Sequence, residues 1–154
     1  MSVRIQFEPI DLSHELTRFH GDAKDMGALV TFVGYVRDFN EEGPVNQLVL
    51  EHYPGMTEKR LLDLERKARS QWPLTEVLLV HRTGTLEPGD PIVLVAAGSA
   101  HRQAAFNACE FLVDALKTRV PFWKKEVSPS GSRWVEAKTS DDEALSRWDL
   151  LNDR

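Results

Sequence analysis

Apolar and polar positions along this chain repeat with two periods, one of two residues and one near 3.6, and the switches between them mark strands and helices. Val3 to Phe7 alternates as a short strand, and Leu12 to Phe19 follows at helical spacing. Met26 to Val36, rich in Val, Phe and Tyr, predicts a long strand in which Gly34 marks a bulge. The polar run Asn40-Glu41-Glu42-Gly43-Pro44 predicts a loop, and Gln47 to Tyr53 the next strand, closed by Pro54-Gly55. From Met56 to Trp72, Leu61, Leu64, Ala68 and Trp72 share one helical face, and Pro73 ends the helix. Val77 to His81 and Ile92 to Ala97 predict two further strands, joined through Gly84 and the turn Glu87-Pro88-Gly89-Asp90.

The clearest helix runs from Ser99 to Thr118. Ala104, Ala108, Leu112 and Leu116 form one stripe with Ala105, Cys109 and Val113 beside it, and Ser99 is placed to cap the first turn. Pro121 cannot continue a helix, because its ring lacks an N–H and clashes with the preceding turn. Phe122 to Val127 therefore reads as extended. Pro129-Ser130-Gly131 is a turn, Arg133 to Ala137 is extended again, and Asp141 to Leu151 has the pattern of a short terminal helix. Hairpins mixed with separate helices predict an α+β fold, a single domain over 1–154 with a mixed, largely antiparallel sheet and packed helices.

Composition narrows the function classes. The chain has 154 residues, enough for a real core, and no apolar run approaches the ~20 residues of a membrane span. Met1-Ser2-Val3-Arg4-Ile5 lacks an apolar signal region, so the expectation is a cytoplasmic protein without a membrane partner. A single cysteine excludes an internal disulfide framework. The net charge of −5 speaks against a nucleic-acid footprint over the whole surface, so any bound anion is expected to be small and held locally. Five histidines without paired ligand spacing or cysteine companions give no zinc site, and no phosphate-binding glycine loop is present, so no cofactor is expected.

Candidate chemistry concentrates around the Pro121 break. Leu116-Lys117-Thr118-Arg119-Val120-Pro121-Phe122-Trp123-Lys124-Lys125 sets four cations around two large aromatics. Lys117 falls on the last helical turn and Lys124 and Lys125 just past the break, so ammonium groups converge where an anion relieves their repulsion and aromatics supply walls; a surface charge run at a helix C-terminus, where cations are favoured anyway, is the alternative. His101-Arg102 opens the long helix, where unpaired amides and a guanidinium favour phosphate; a solvated first turn is the alternative. Arg37 ends the long strand, within reach of a ligand at the sheet edge or simply solvated. Arg102 and Lys117 are fifteen residues apart on one helix, about 22 Å along its axis. If both serve one small ligand, a second copy of the chain must supply one of them, which favours a symmetric dimer. Cys109 lies on the apolar stripe and reads as core filling.

These residues are joined by a longer series. Val30-Thr31-Phe32-Val33-Gly34, Val36-Arg37, Leu50 to Lys59, Trp72-Pro73-Leu74, His81-Arg82, Pro88-Gly89-Asp90, Ser99 to Arg102, Leu116 to Arg119, Pro121 to Lys124 and Arg133 to Ala137 occur in the order found in one family. Over residues 25 to 148 the chain resembles the large, catalytic subunit of molybdopterin synthase. It departs at Tyr35, where the family has a lysine, at Lys138, where it has an arginine, and at Gln71, where a basic residue often stands.

The resemblance implies an α/β hammerhead type of fold and a sulfurtransferase. The reaction it implies is insertion of two sulfur atoms into cyclic pyranopterin monophosphate to give molybdopterin. Sulfur would arrive on a small ubiquitin-like subunit ending in a Gly-Gly thiocarboxylate, within a heterotetramer built on a homodimer of the large subunit. It implies Lys117 and Lys124 as the catalytic pair, with Lys125 and Glu126 lining the site. Substrate would be held by Arg37 with the backbone of Tyr35 and Val36, and its phosphate by His101 and Arg102 of the neighbouring protomer. From composition and spacing alone, a dimeric non-catalytic binder of an anionic metabolite or carrier tail stays open, as does a weaker reading in which Phe122 and Trp123 stack single-stranded RNA.

Overall fold

The computed structural model describes residues 2–40 and 43–135 together with Ser146 and Trp148. The first sheet is formed by β1 (Val3–Gln6), β6 (Leu74–Arg82), β8 (Pro91–Ser99) and β2 (Ala28–Tyr35), in that spatial order. β1 runs parallel to β6, and the other two pairings are antiparallel. The second sheet is antiparallel throughout, in the order β10 (Gly131–Val135), β9 (Phe122–Ser128), β5 (Gln47–His52) and β7 (Gly84–Leu86). A two-residue ribbon pairs β3 (Phe39–Asn40) with β4 (Gly43–Pro44). The helices are α1 (Leu12–His20), α2 (Met56–Gln71) and α3 (Arg102–Arg119). The fold is α+β, as the element order predicts.

β6 and β8 are almost continuously apolar because both faces of the first sheet are covered. Val77, Leu79, Val93, Val95 and Ala97 face the core beneath α2 and α3, while Leu78, Val80, Leu94 and Ala96 face Leu12, Leu16 and Phe19 of α1. α2 contributes Leu61, Leu64 and Ala68 to this core, and α3 contributes Ala105, Ala108, Cys109, Phe111, Leu112, Ala115 and Leu116. A smaller core of Val36, Leu48, Leu50 and Leu86 lies under the second sheet. Trp148 packs edge-on against Trp72 and Phe111, and its indole N–H donates to Asp114 Oδ2 at 2.7 Å.

Several expectations hold in detail. Gly34 sits at an irregularity in the β2–β8 register, α2 ends at Gln71, and Trp72 is extended before Pro73. The helix start at Ser99 is corrected. Ser99 remains in the ladder between Ala28 and Leu74, and its hydroxyl donates to the Pro73 carbonyl at 2.7 Å. His101, extended at φ −129 and ψ 149, takes the cap position instead. The turn predicted between β6 and β8 also contains β7, a strand too short to show a period. Of the segment predicted as a terminal helix, Ser146 and Trp148 are helical; its other residues, and Glu136, Ala137 and Lys138, lie outside the described residues.

Candidate functional site

The chain reverses between α3 and β9 within three residues. α3 ends at Arg119, Val120 is extended, and the Phe122 N–H donates back to the Val120 carbonyl at 3.0 Å. A three-residue turn of this kind centres on Pro121, whose ring already fixes the φ that it requires. Lys117, on the last turn of α3, and Lys124, the third residue of β9, thus leave one compact junction, and both are exposed.

Two buried side chains from other elements hold that junction. Thr57, fully buried at the start of α2, accepts from the Tyr53 N–H at 2.9 Å and donates to the Pro121 carbonyl at 3.0 Å. The His81 ring on β6 stacks on Phe122, with centroids 3.7 Å apart and planes 16° from parallel. His81 Nδ1 lies 2.7 Å from the Arg82 carbonyl, which can only accept, so Nδ1 carries the hydrogen. Burial lowers the imidazole pKa from 6.5 to about 4; the Arg82 hydrogen bond opposes this, and the charges of Lys124 and His52 reinforce it. His52 lies between Thr83 Oγ and Glu58 Oε1, 3.3 Å from each. His81 and Thr57 lie in stretches that carry the family resemblance, but nothing in the sequence joins either to the α3–β9 turn; that link became visible only through their neighbours.

Strand alternation divides the predicted lining of β9. Phe122, Lys124 and Glu126 share the face of their cross-strand partners His52, Leu50 and Leu48. Glu126 is half-buried there, 3.5 Å from Arg133 Nη2. Lys125 projects from the opposite face, where its ammonium lies 5.8 Å from the centre of the Trp134 ring. Trp123, on that same face, packs on Tyr53 at 6.4 Å. The side chain of Lys125 therefore does not join those of Lys124 and Glu126.

The first sheet separates the remaining candidates into two groups. Tyr35 pairs with Pro91 at one end of β8, and Ala28 pairs with Ser99 at the other. α3 starts just beyond Ser99 and returns over β8, with Cys109 Sγ 4.0 Å from the Val95 carbonyl. Its C-terminus thus reaches the end of the sheet where Tyr35 and Arg37 lie. His101 and Arg102 stay at the opposite end, exposed, about 22 Å along the helix from Lys117. One protomer brings Arg37, Lys117 and Lys124 to one end and leaves His101 and Arg102 at the other.

Both backbone polar groups of Val36 are engaged within the chain. Its side chain is buried, its N–H donates to the Asp90 carbonyl at 3.0 Å, and its carbonyl accepts from the Gly89 N–H at 2.7 Å. Tyr35 and Arg37 on either side are exposed. Cys109 is buried as expected; burial, with the Glu110 charge adding, pushes its thiol up to about 11. A thiol held protonated is a poor nucleophile. Among the described residues, no cluster of His, Cys, Asp and Glu could hold a metal ion.

Comparison with known proteins identifies the family. The family model described as "MoaE protein" matches residues 5–119. The molybdopterin synthase catalytic subunit of Pseudomonas aeruginosa is 52% identical over 149 residues, covering 97% of this chain and 99% of that protein. That of Escherichia coli is 57% identical over 122 residues, covering 79% of this chain and 81% of its own. The solved molybdopterin biosynthesis MoaE protein from Burkholderia ambifaria superposes with a TM-score of 0.80 at 47% identity, over 96% of this chain and 98% of that one. The chain belongs to the MoaE protein family, that of the molybdopterin synthase catalytic subunits.

Proposed function

We propose that this enzyme subunit inserts two sulfur atoms into cyclic pyranopterin monophosphate, forming molybdopterin, at the junction of α3 and β9. The supporting observation is that Lys117 and Lys124 flank, on α3 and β9, one three-residue turn built around Pro121. Two ammonium groups there attract an anionic tail and stabilise negative charge that develops as sulfur attacks the pterin carbon. Either lysine, when neutral, can carry a proton. Glu126 lies on the face of Lys124, and Arg37 at the same end of the first sheet completes the cationic surround. His101 and Arg102 bind the phosphate of the substrate held by the neighbouring protomer, since one protomer separates them from Lys117 by about 22 Å.

The sulfur comes from outside the chain. Cys109 is buried and its thiol stays protonated, which suits it to packing rather than sulfur carriage. The relatives are named catalytic subunits, a name that implies a second kind of subunit. A small ubiquitin-like carrier with a C-terminal Gly-Gly thiocarboxylate supplies the sulfur, in a cytoplasmic heterotetramer built on a homodimer of this chain.

The test supplies purified protein with the pterin precursor and thiocarboxylated carrier, and follows the dithiolene product by mass spectrometry. Lys117→Ala should abolish product at unchanged thermal stability. Activity within about threefold of wild type would place less than ~1 kcal/mol of the barrier at stake and remove Lys117 from the chemistry. Persistent absence of product from the wild-type protein, with tight precursor binding retained, would favour a binding protein instead.

A further inference from the structure

The proposed chemistry names two lysines and leaves unexplained how they are held. Lys124 is an exposed side chain near the start of a strand, and the position of its backbone relative to Lys117 depends on the path of the chain through Val120, Pro121 and Phe122. Pro121 fixes its own φ, and the path beyond it is held by contacts: the Phe122 N–H bonds the Val120 carbonyl and Phe122 pairs with His52. The same two residues are also gripped by side chains from other elements. Thr57 bonds the Pro121 carbonyl, and the His81 ring lies flat on Phe122. Phe122 and Lys124 share one face of β9, two residues apart, so the short strand segment anchored at Phe122 also carries Lys124.

We propose that His81 and Thr57 are positioning residues: together they clamp Pro121–Phe122 and thereby set Lys124 against Lys117. The inference rests on the reading of those lysines as the reacting pair. Neither clamp residue need touch the substrate. Thr57 is suited to its part because its single hydroxyl, fully buried, accepts from Tyr53 and donates to Pro121, which ties the start of α2 to the turn. His81 is suited to its part because its flat ring lies against Phe122, while the Nδ1 bond to the Arg82 carbonyl satisfies the polar edge of the buried ring. A neutral ring in that place also adds no competing cation beside Lys124.

The test reads kcat and KM separately in the dithiolene assay, with thermal unfolding as the control. Displacing a reacting group by about 1 Å can cost two orders of magnitude. His81→Ala and Thr57→Val should therefore each lower kcat by about 10- to 100-fold with KM within about threefold of wild type. His81→Phe, which keeps the flat ring, and Thr57→Ser, which keeps the hydroxyl, should restore kcat to within about threefold of wild type. Should His81→Ala fail to fold, Phe122→Leu removes the same stack from its other side and should show the same loss of kcat. Folded His81→Ala or Phe122→Leu protein turning over like wild type would overturn the clamp. So would a folded His81→Phe protein as slow as His81→Ala. Wild-type turnover in Lys124→Ala is a separate result that removes the site reading itself.

Discussion

Single residues in this molecule act through what surrounds them, and His81 shows this most directly. Its pKa falls from 6.5 to about 4, chiefly because burial disfavours the imidazolium. In the unfolded chain the same ring takes up a proton below 6.5. The folded state is therefore at full strength above that pH, weakens as pH falls from 6.5 toward 4, and keeps the whole penalty below. The gap corresponds to about 3 kcal/mol. Denaturant unfolding of wild type and His81→Phe at pH 7.5 and pH 4.5 should show the wild type losing more of its stability, and parallel losses would refute the assignment. Cys109→Ala removes one buried sulfur and should cost about 1 kcal/mol while keeping most activity. Loss of turnover at unchanged stability would mean that sulfur passes through this thiol. Gly27 is a third case, since a Cβ there would stand 2.1 Å from the Ala100 carbonyl oxygen, just before His101. Gly27→Ala must displace backbone, and its melting temperature should fall by several degrees.

At the scale of elements, which face of a helix is buried decides what each position is worth. Leu61 and Leu62 are neighbours on α2, yet Leu61 is 0% exposed beneath the first sheet and Leu62 is 40% exposed. Leu61→Ala should cost about 2–5 kcal/mol and Leu62→Ala about 0.5 or less, measured by urea unfolding at fixed pH. Similar losses at both positions would contradict the packing of α2. The same logic reaches the site through β9. A two-residue period puts Lys124 beside Glu126 and sends Lys125 to Trp134, so a run of consecutive cations is not a single cluster.

The candidate site residues lie at two ends of the first sheet. A composite site made by two protomers predicts that Arg102→Ala and Lys117→Ala chains, each inactive alone, regain activity together. In a mixed dimer one pocket carries both lesions and the other carries none. Random pairing makes about half of the dimers mixed, so roughly a quarter of wild-type turnover should return. Co-expression with two tags and purification through both isolates that dimer. Turnover no higher than either parent would show that the two residues do not complement each other across an interface.

Local chemistry made much of this legible beforehand. Proline and glycine punctuation, the stripe on α3 and the apolar runs of β6 and β8 depend on neighbours in sequence, and they placed the α+β order, the bulge at Gly34, the end of α2 and the break at Pro121. The spacing of Arg102 and Lys117 along one helix also followed from sequence, because helical rise is fixed. Tertiary structure decided the rest. Ser99 stays in a ladder rather than capping α3 because strands 71 and 25 residues earlier in the chain pair with it, through Ala28 and Leu74. The strand β7 forms because β5 offers an edge to three residues that have no period of their own. His81 and Thr57 reach the α3–β9 turn from 41 and 64 residues away in sequence, through a stack and a hydrogen bond. Contacts closed over such distances leave no periodic trace in the chain, since each depends on two segments that meet only after folding.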